Sequence, residues 1–127
     1  MSKQIIHVPN APRPIAPYSP AIIANGLVFV SGQIPLNPTT GQMVQETIAA
    51  ETHQVMQNVA AVLAAAGSNW DKVVKATIFL TDMNDYAVVN EIYGQYFDNQ
   101  TAPARECVQV GRLPKDAHVE ISVIALV

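Results

Sequence analysis

Apolar and polar positions change period several times along the chain, and each period implies an element. Ala21 to Ala24 and Leu27 to Ser31 are short apolar runs joined by Asn25 and Gly26, a pair that favours the type I′ turn of a β-hairpin. From Ile48 the period lengthens. Ile48, Thr52, Val55, Val59, Val62, Leu63 and Ala66 recur at helical steps, and Gly67 follows where a left-handed residue would end a helix of about five turns. Val73 to Leu80 then reads as a strand, with Val74, Ala76, Ile78 and Leu80 on one face and Lys75 and Thr77 on the other. Asp82 and Asp85 are N-cap candidates for a second helix, whose apolar stripe is Tyr86, Val89, Tyr93 and Tyr96 or Phe97.

The last two apolar runs, Arg105 to Val110 and Val119 to Ala125, flank the connection GRLPKDAH. Paired as an antiparallel ribbon, they put Val108 and Val110 on a core face with Val119, Ile121 and Val123. The same register groups Arg105, Cys107 and Gln109 with Glu120 and Ser122 on the opposite face. The element order predicts an α+β sandwich, a mixed sheet with two helices packed on one face. The second sheet face would carry Val73, Thr77, Phe79, Ser122 and Ile124 and needs a cover, for which identical chains in a closed ring are the economical candidate.

At 127 residues the chain has the size of one domain, expected to span 1–127. Only 13% of residues are charged, against about a quarter in ordinary soluble domains, which again favours an oligomer. A net charge of -3 lacks the basic excess that phosphate contacts require, so no nucleic-acid partner is expected. One cysteine, Cys107, excludes an intramolecular disulfide and a multi-cysteine metal site. Neither a signal segment nor a membrane span is legible, and a cytoplasmic location fits best. His7, His53 and His118 have no metal-site spacing, and phosphate-loop and nucleophile-elbow motifs are absent. Five prolines between Pro9 and Pro20 require extended or turned backbone.

Three segments carry a resemblance: PARECVQVGRLPKDAHVEI (103–121), APYSPA (16–21) and VSGQIPLNPTTG (30–41). Together they resemble the Rid family of reactive-intermediate deaminases (YjgF/YER057c/UK114), over nearly the whole chain. The resemblance implies a chorismate-mutase-like fold, a homotrimer with clefts between subunits, and hydrolysis of 2-imino acids or their enamines to 2-oxo acids and ammonia, without cofactor or metal.

By position, the resemblance makes Arg105 the residue that holds the substrate carboxylate, a task suited to a planar, permanently charged fork. Glu120 matches the carboxylate that positions or activates water, because water must lose a proton as it adds to the imine carbon; a partner for Arg105 or Lys115 is the competing reading. Cys107 matches a position whose backbone frames the ligand, and its side chain reads as a small hydrophobe more than a nucleophile. Tyr18, Ser31 and Gly32 match residues lining the cleft, and Asn90 a polar cleft position on the second helix, although its residue type alone reads first as a solvated helix face. Glu106 departs from the family, which usually has a small residue there; alternation points it away from Arg105. A non-catalytic protein that binds 2-oxo acids through the same cleft is the alternative function, and a ribonuclease is disfavoured by the acidic balance.

Overall fold

The computed structural model describes residues 2–9, 11 and 14–127. Among these, strands β1 (Gln4–Ile6), β2 (Ala21–Ala24), β3 (Leu27–Gln33), β4 (Val73–Leu80), β5 (Ala104–Gln109) and β6 (Val119–Leu126) form one sheet in the order β1-β2-β3-β6-β4-β5. Helices α1 (Ile48–Ala65) and α2 (Tyr86–Gly94) pack on one face of it. Every neighbouring pair is antiparallel except β4 and β5, which are parallel. That exception needs a crossover, and α2 supplies it. The mixed α+β architecture is the one the sequence pattern predicts.

The hairpin and the long helix follow their local signals. Asn25 and Gly26 take φ of 52° and 78°, as the β2–β3 turn requires. Thr47 caps α1 by accepting the Ala50 N–H at 3.0 Å. At the other end the Ser68 N–H donates to the Leu63 carbonyl at 2.8 Å and the Gly67 N–H to that of Ala64 at 3.0 Å, a Schellman termination around Gly67 at φ 76°. Asp82 caps the short 3₁₀ turn Met83–Asp85 that leads into α2, accepting the Asn84 N–H at 2.9 Å; Asp85 makes no side-chain cap. In the proline-rich segment, residues 14–20 form bends without regular structure; Pro12 lies outside the described residues.

Two sequence expectations are corrected. The strands β5 and β6 do not pair with each other, because β4 lies between them and bonds to both. β4 is apolar on its helix side and is hydrogen-bonded along both edges, so it occupies the interior while β5, which offers only a half-buried face, takes the edge. Val108 is therefore 41% exposed and not in the core. Second, the register slips between Val73 and Lys75. This bulge turns Val73 into the core and leaves Val74 exposed, the reverse of strict alternation.

One row across the sheet shows which face is covered. Arg105, Ala76, Val123, Val30, Ala21 and Ile6 are successive register partners from β5 to β1. All but the first are buried under the helices. The row through Val108, Phe79 and Glu120 lies on the other side, which no element among the described residues covers.

Candidate active site

Arg105 stands at the edge end of that buried row, so its side chain emerges on the helix side. There α2 presents Tyr86, Asn90 and Tyr93, whose spacing of four and three puts them on one helix face. The guanidinium donates from Nη1 to Asn90 Oδ1 at 2.7 Å and from Nη2 to the Tyr86 hydroxyl at 2.6 Å. Its carbon lies 4.9 Å from the Tyr93 ring centre and 5.7 Å from that of Tyr86, within cation–π range. These contacts hold a flexible side chain in one pose and use two of five N–H donors. A cavity of about 250 Å³, lined by Arg105, Asn90, Tyr93, Phe97 and Pro103 among others, opens beside it. Burial pushes the Tyr93 hydroxyl up to about 12 against the opposing pull of Arg105. Asn90 is thus a fixed partner of Arg105 and more than a solvated helix position.

Cys107 follows two residues on, with its side chain on the same face as Arg105 and half-buried. Burial raises its pKa and outweighs the lowering by Arg105, so at neutral pH the thiol keeps its proton. That argues against a nucleophile. Glu106 points the other way and pairs with Lys75 at 2.9 Å.

Glu120 lies on the open face, in register with Phe79. It is half-buried, and that burial raises its pKa. Neither Arg105 nor Lys115 pairs with it; among the described residues no ion pair reaches it. The carboxylate instead lies against Gly32, where any β-carbon would collide with its oxygen. Gly32 sits in the bulge of β3 between Val30 and Gln33, and the absence of a β-carbon there lets the carboxylate approach its backbone closely. Beside it the Ser31 hydroxyl donates to the Ser19 carbonyl at 2.6 Å, and the Ser31 N–H to that of Pro20 at 2.9 Å. These bonds tie the strand end to the segment carrying the exposed Tyr18. Tyr18 and Gly32 share a cleft of about 600 Å³ with Ile34, Leu36 and Lys115.

The residues singled out in the sequence therefore form two groups. Arg105, Cys107 and Asn90 are together on the helix side of the β5 edge, Ser31, Gly32 and Glu120 are together toward the open side, and Tyr18 meets Gly32 in a cleft that also touches Asn58, Ala61 and Val62 of α1. The expectation that Arg105 and Glu120 share a face is overturned, because it rested on the ribbon that β4 interrupts. Sequence reading also missed the buried Glu51, which binds His118. Its signal was available: Glu51 falls three residues after Ile48, on the apolar stripe of α1. Among the described residues no three His, Cys, Asp or Glu side chains converge as a metal site would need.

Comparison with known proteins identifies the lineage. The family profile described as Endoribonuclease L-PSP matches residues 8–127. The chain belongs to the Rid family. A RutC family protein of Synechocystis is 53% identical over 127 residues, covering 99% of this chain and 98% of its own. TdcF of Escherichia coli, provisionally named a reactive intermediate deaminase, is 43% identical over 126 residues, covering 98% and 97%. The crystal structure of a Rid family protein from Yersinia pestis superposes with a TM-score of 0.94 at 51% identity over 99% of this chain and 100% of that one. The E. coli TdcF structure with bound serine superposes at 0.89 with 42% identity, covering 98% of both. The α+β fold of this chain is the fold of these Rid structures. No helix of the described residues is long and apolar enough to cross a membrane.

Proposed function

We propose that this chain, read as one Rid domain over residues 1–127, hydrolyses small reactive 2-imino acids and their enamines, 2-iminobutanoate and 2-iminopropanoate, to 2-oxo acids and ammonia. The observation that carries the reading is Glu120: a half-buried carboxylate with a raised pKa, without an ion-pair partner among the described residues and close against the Gly32 backbone. A carboxylate raised above its ordinary range by burial is suited to accept and return a proton. Arg105 takes the substrate carboxylate in its fork, and the backbone around Cys107 and Gly32 frames the imine. Water adds to C2 as Glu120 takes its proton. The protonated imine thereby becomes a carbinolamine, whose nitrogen receives that proton from Glu120 and leaves as ammonia while the hydroxyl proton passes back to the carboxylate, giving the 2-oxo acid; ammonia takes up the proton Glu120 then holds. No cofactor or metal enters this scheme.

Because Arg105 and Glu120 occupy opposite sides of the sheet, the reading requires a second copy, with the β5 edge of one chain meeting the Gly32 and Glu120 region of another. A cytoplasmic homotrimer with intersubunit clefts satisfies this. Support comes from the open face, where Ile5, Phe29 and Val108 are each more than 40% exposed, and from the unpaired edge of β5. A binding protein for 2-oxo acids is the second reading, favoured by the serine held in the TdcF structure. Cleavage of RNA, which the family profile's description suggests, finds no support in seven Lys and Arg against ten Asp and Glu.

The test is ammonia release from 2-iminobutanoate generated in situ, with and without the protein, alongside sedimentation equilibrium. Acceleration over the spontaneous rate by a species of three chains is expected. Binding of 2-oxobutanoate without acceleration selects the second reading, and a monomer at micromolar concentration removes the composite site.

A further inference from the structure

Glu51 lies in the first turn of α1 and is 1% exposed. A buried carboxylate is costly unless its oxygens are satisfied, and both go to one residue. Oε1 accepts the His118 backbone N–H at 2.6 Å, and Oε2 lies 2.9 Å from His118 Nδ1. The His118 carbonyl in turn accepts the Thr81 N–H at 3.2 Å. One residue is thus held by its amide, its ring and its carbonyl, from α1 on one side and from the end of β4 on the other.

The place matters because His118 immediately precedes β6, two residues before Glu120. The turn leading to it is irregular: Lys115 and Asp116 both have positive φ, 54° and 56°, a conformation that L-residues other than glycine seldom adopt. Gln45 Nε2 donates to the Asp116 carbonyl at 3.0 Å, a second tie from the segment before α1. The ladders to β3 and β4 fix the register of β6, and the tie from Glu51 anchors the end at which the strand begins, two residues before Glu120.

We infer that Glu51 is a positioning residue for the site proposed above: through His118 it sets where β6 begins and so holds the Glu120 carboxylate against Gly32. The assignment rests on the catalytic reading of Glu120, but the geometry it concerns can be followed without turnover. Glu51 touches no substrate. Its effect passes through two backbone residues, so it should govern how Glu120 works while leaving the Arg105 side of the site alone.

The experiment uses the full chain with Glu51→Ala and Glu51→Gln. Gln keeps an acceptor for the His118 N–H and a donor for its ring nitrogen, whereas Ala keeps neither. Two readouts are taken: the titration of the Glu120 carboxyl by carbon-13 NMR, assigned with Glu120→Gln, and the kcat for 2-iminobutanoate beside the Kd for 2-oxobutanoate. Expected for Ala is a Glu120 titration that moves down toward the ordinary range, a kcat lowered about tenfold or more, and a Kd within about threefold; Gln restores both titration and kcat. An unmoved Glu120 titration in Glu51→Ala overturns the assignment, and so does a Gln variant as impaired as Ala. If the parent adds nothing to imine hydrolysis, the catalytic reading fails, while the NMR arm still decides whether Glu51 positions Glu120. Should Glu51→Ala not fold, Glu51→Asp, which withdraws the carboxylate by one methylene, is judged by the same criteria.

Discussion

The two faces of the central strands differ in what they ask of a residue. On the helix side Ala76, Ile78, Leu80, Val119, Ile121 and Val123 are buried almost completely, while Lys75, Thr77, Phe79, Glu120, Ser122 and Ile124, alternating with them, are only partly covered. One set stabilises the fold. The other keeps polar and titratable groups among apolar ones. Arg105 belongs to the first side by register but escapes burial because β5 is the edge. Function, on this account, is drawn from both faces at the places where each runs out of cover.

The comparison is broken most strongly from the buried side. Ile121→Ala removes a fully buried side chain and should cost about 2–5 kcal/mol, whereas Ser122→Ala, its open-face neighbour, should change chain stability by no more than about 0.5 kcal/mol. Denaturant unfolding of both variants measures the contrast, and equal costs would mean that the open face is also a core.

Glu120→Gln sharpens it next. Imine hydrolysis should slow by about 10²-fold or more, with 2-oxobutanoate binding within a few-fold. Its pH dependence has a definite sign. Burial raises the folded pKa of Glu120, so ionisation opposes folding once pH exceeds the ordinary carboxylate range, and fully so above the folded pKa. The Gln variant should therefore gain on the parent at neutral pH and lose that advantage as pH falls through the window. The parent's hydrolysis rate should decline in acid at a pH above that of an ordinary glutamate. Thermal unfolding at several pH values and a pH–rate profile check both.

Arg105→Ala should weaken 2-oxobutanoate binding about ten- to a hundredfold by calorimetry, and Arg105→Lys should restore it only in part, since an ammonium cannot hold Asn90, Tyr86 and a carboxylate in one plane. The smallest effect is expected for Cys107→Ser. Its thiol is protonated and its backbone is unchanged, so kcat should stay within about threefold; loss of turnover with binding intact would make the thiol a participant.

How far the sequence carried these conclusions depends on the range of the signal. The hairpin at Asn25–Gly26 and the helix ended by Gly67 are written in a few adjacent residues, and both stand where their patterns put them. The neighbour of β5 is not written locally. A parallel pair joined through α2 leaves no turn motif, so the nearer partner in sequence, β6, looked correct while β4 took the place. The bulge that exchanges Val73 and Val74 is equally silent, and β1, three residues long, is too short to show a period. For the candidate site, residue types and resemblance led to Arg105 and Glu120, but the faces they occupy required the topology. Glu51 was hidden by the habit of reading a helical glutamate as solvated.

The central claim is that one working site takes Arg105 from one chain and Glu120 from another. Arg105→Ala and Glu120→Gln, each strongly impaired alone, should be unfolded and refolded together in equal amounts, with imine hydrolysis measured per chain at a substrate level below the parent KM. If clefts form between chains, about a quarter of them combine an intact Arg105 with an intact Glu120, and that share of parental activity returns. Mixed assemblies as impaired as either variant would contradict the account, for then both groups must serve from the same chain.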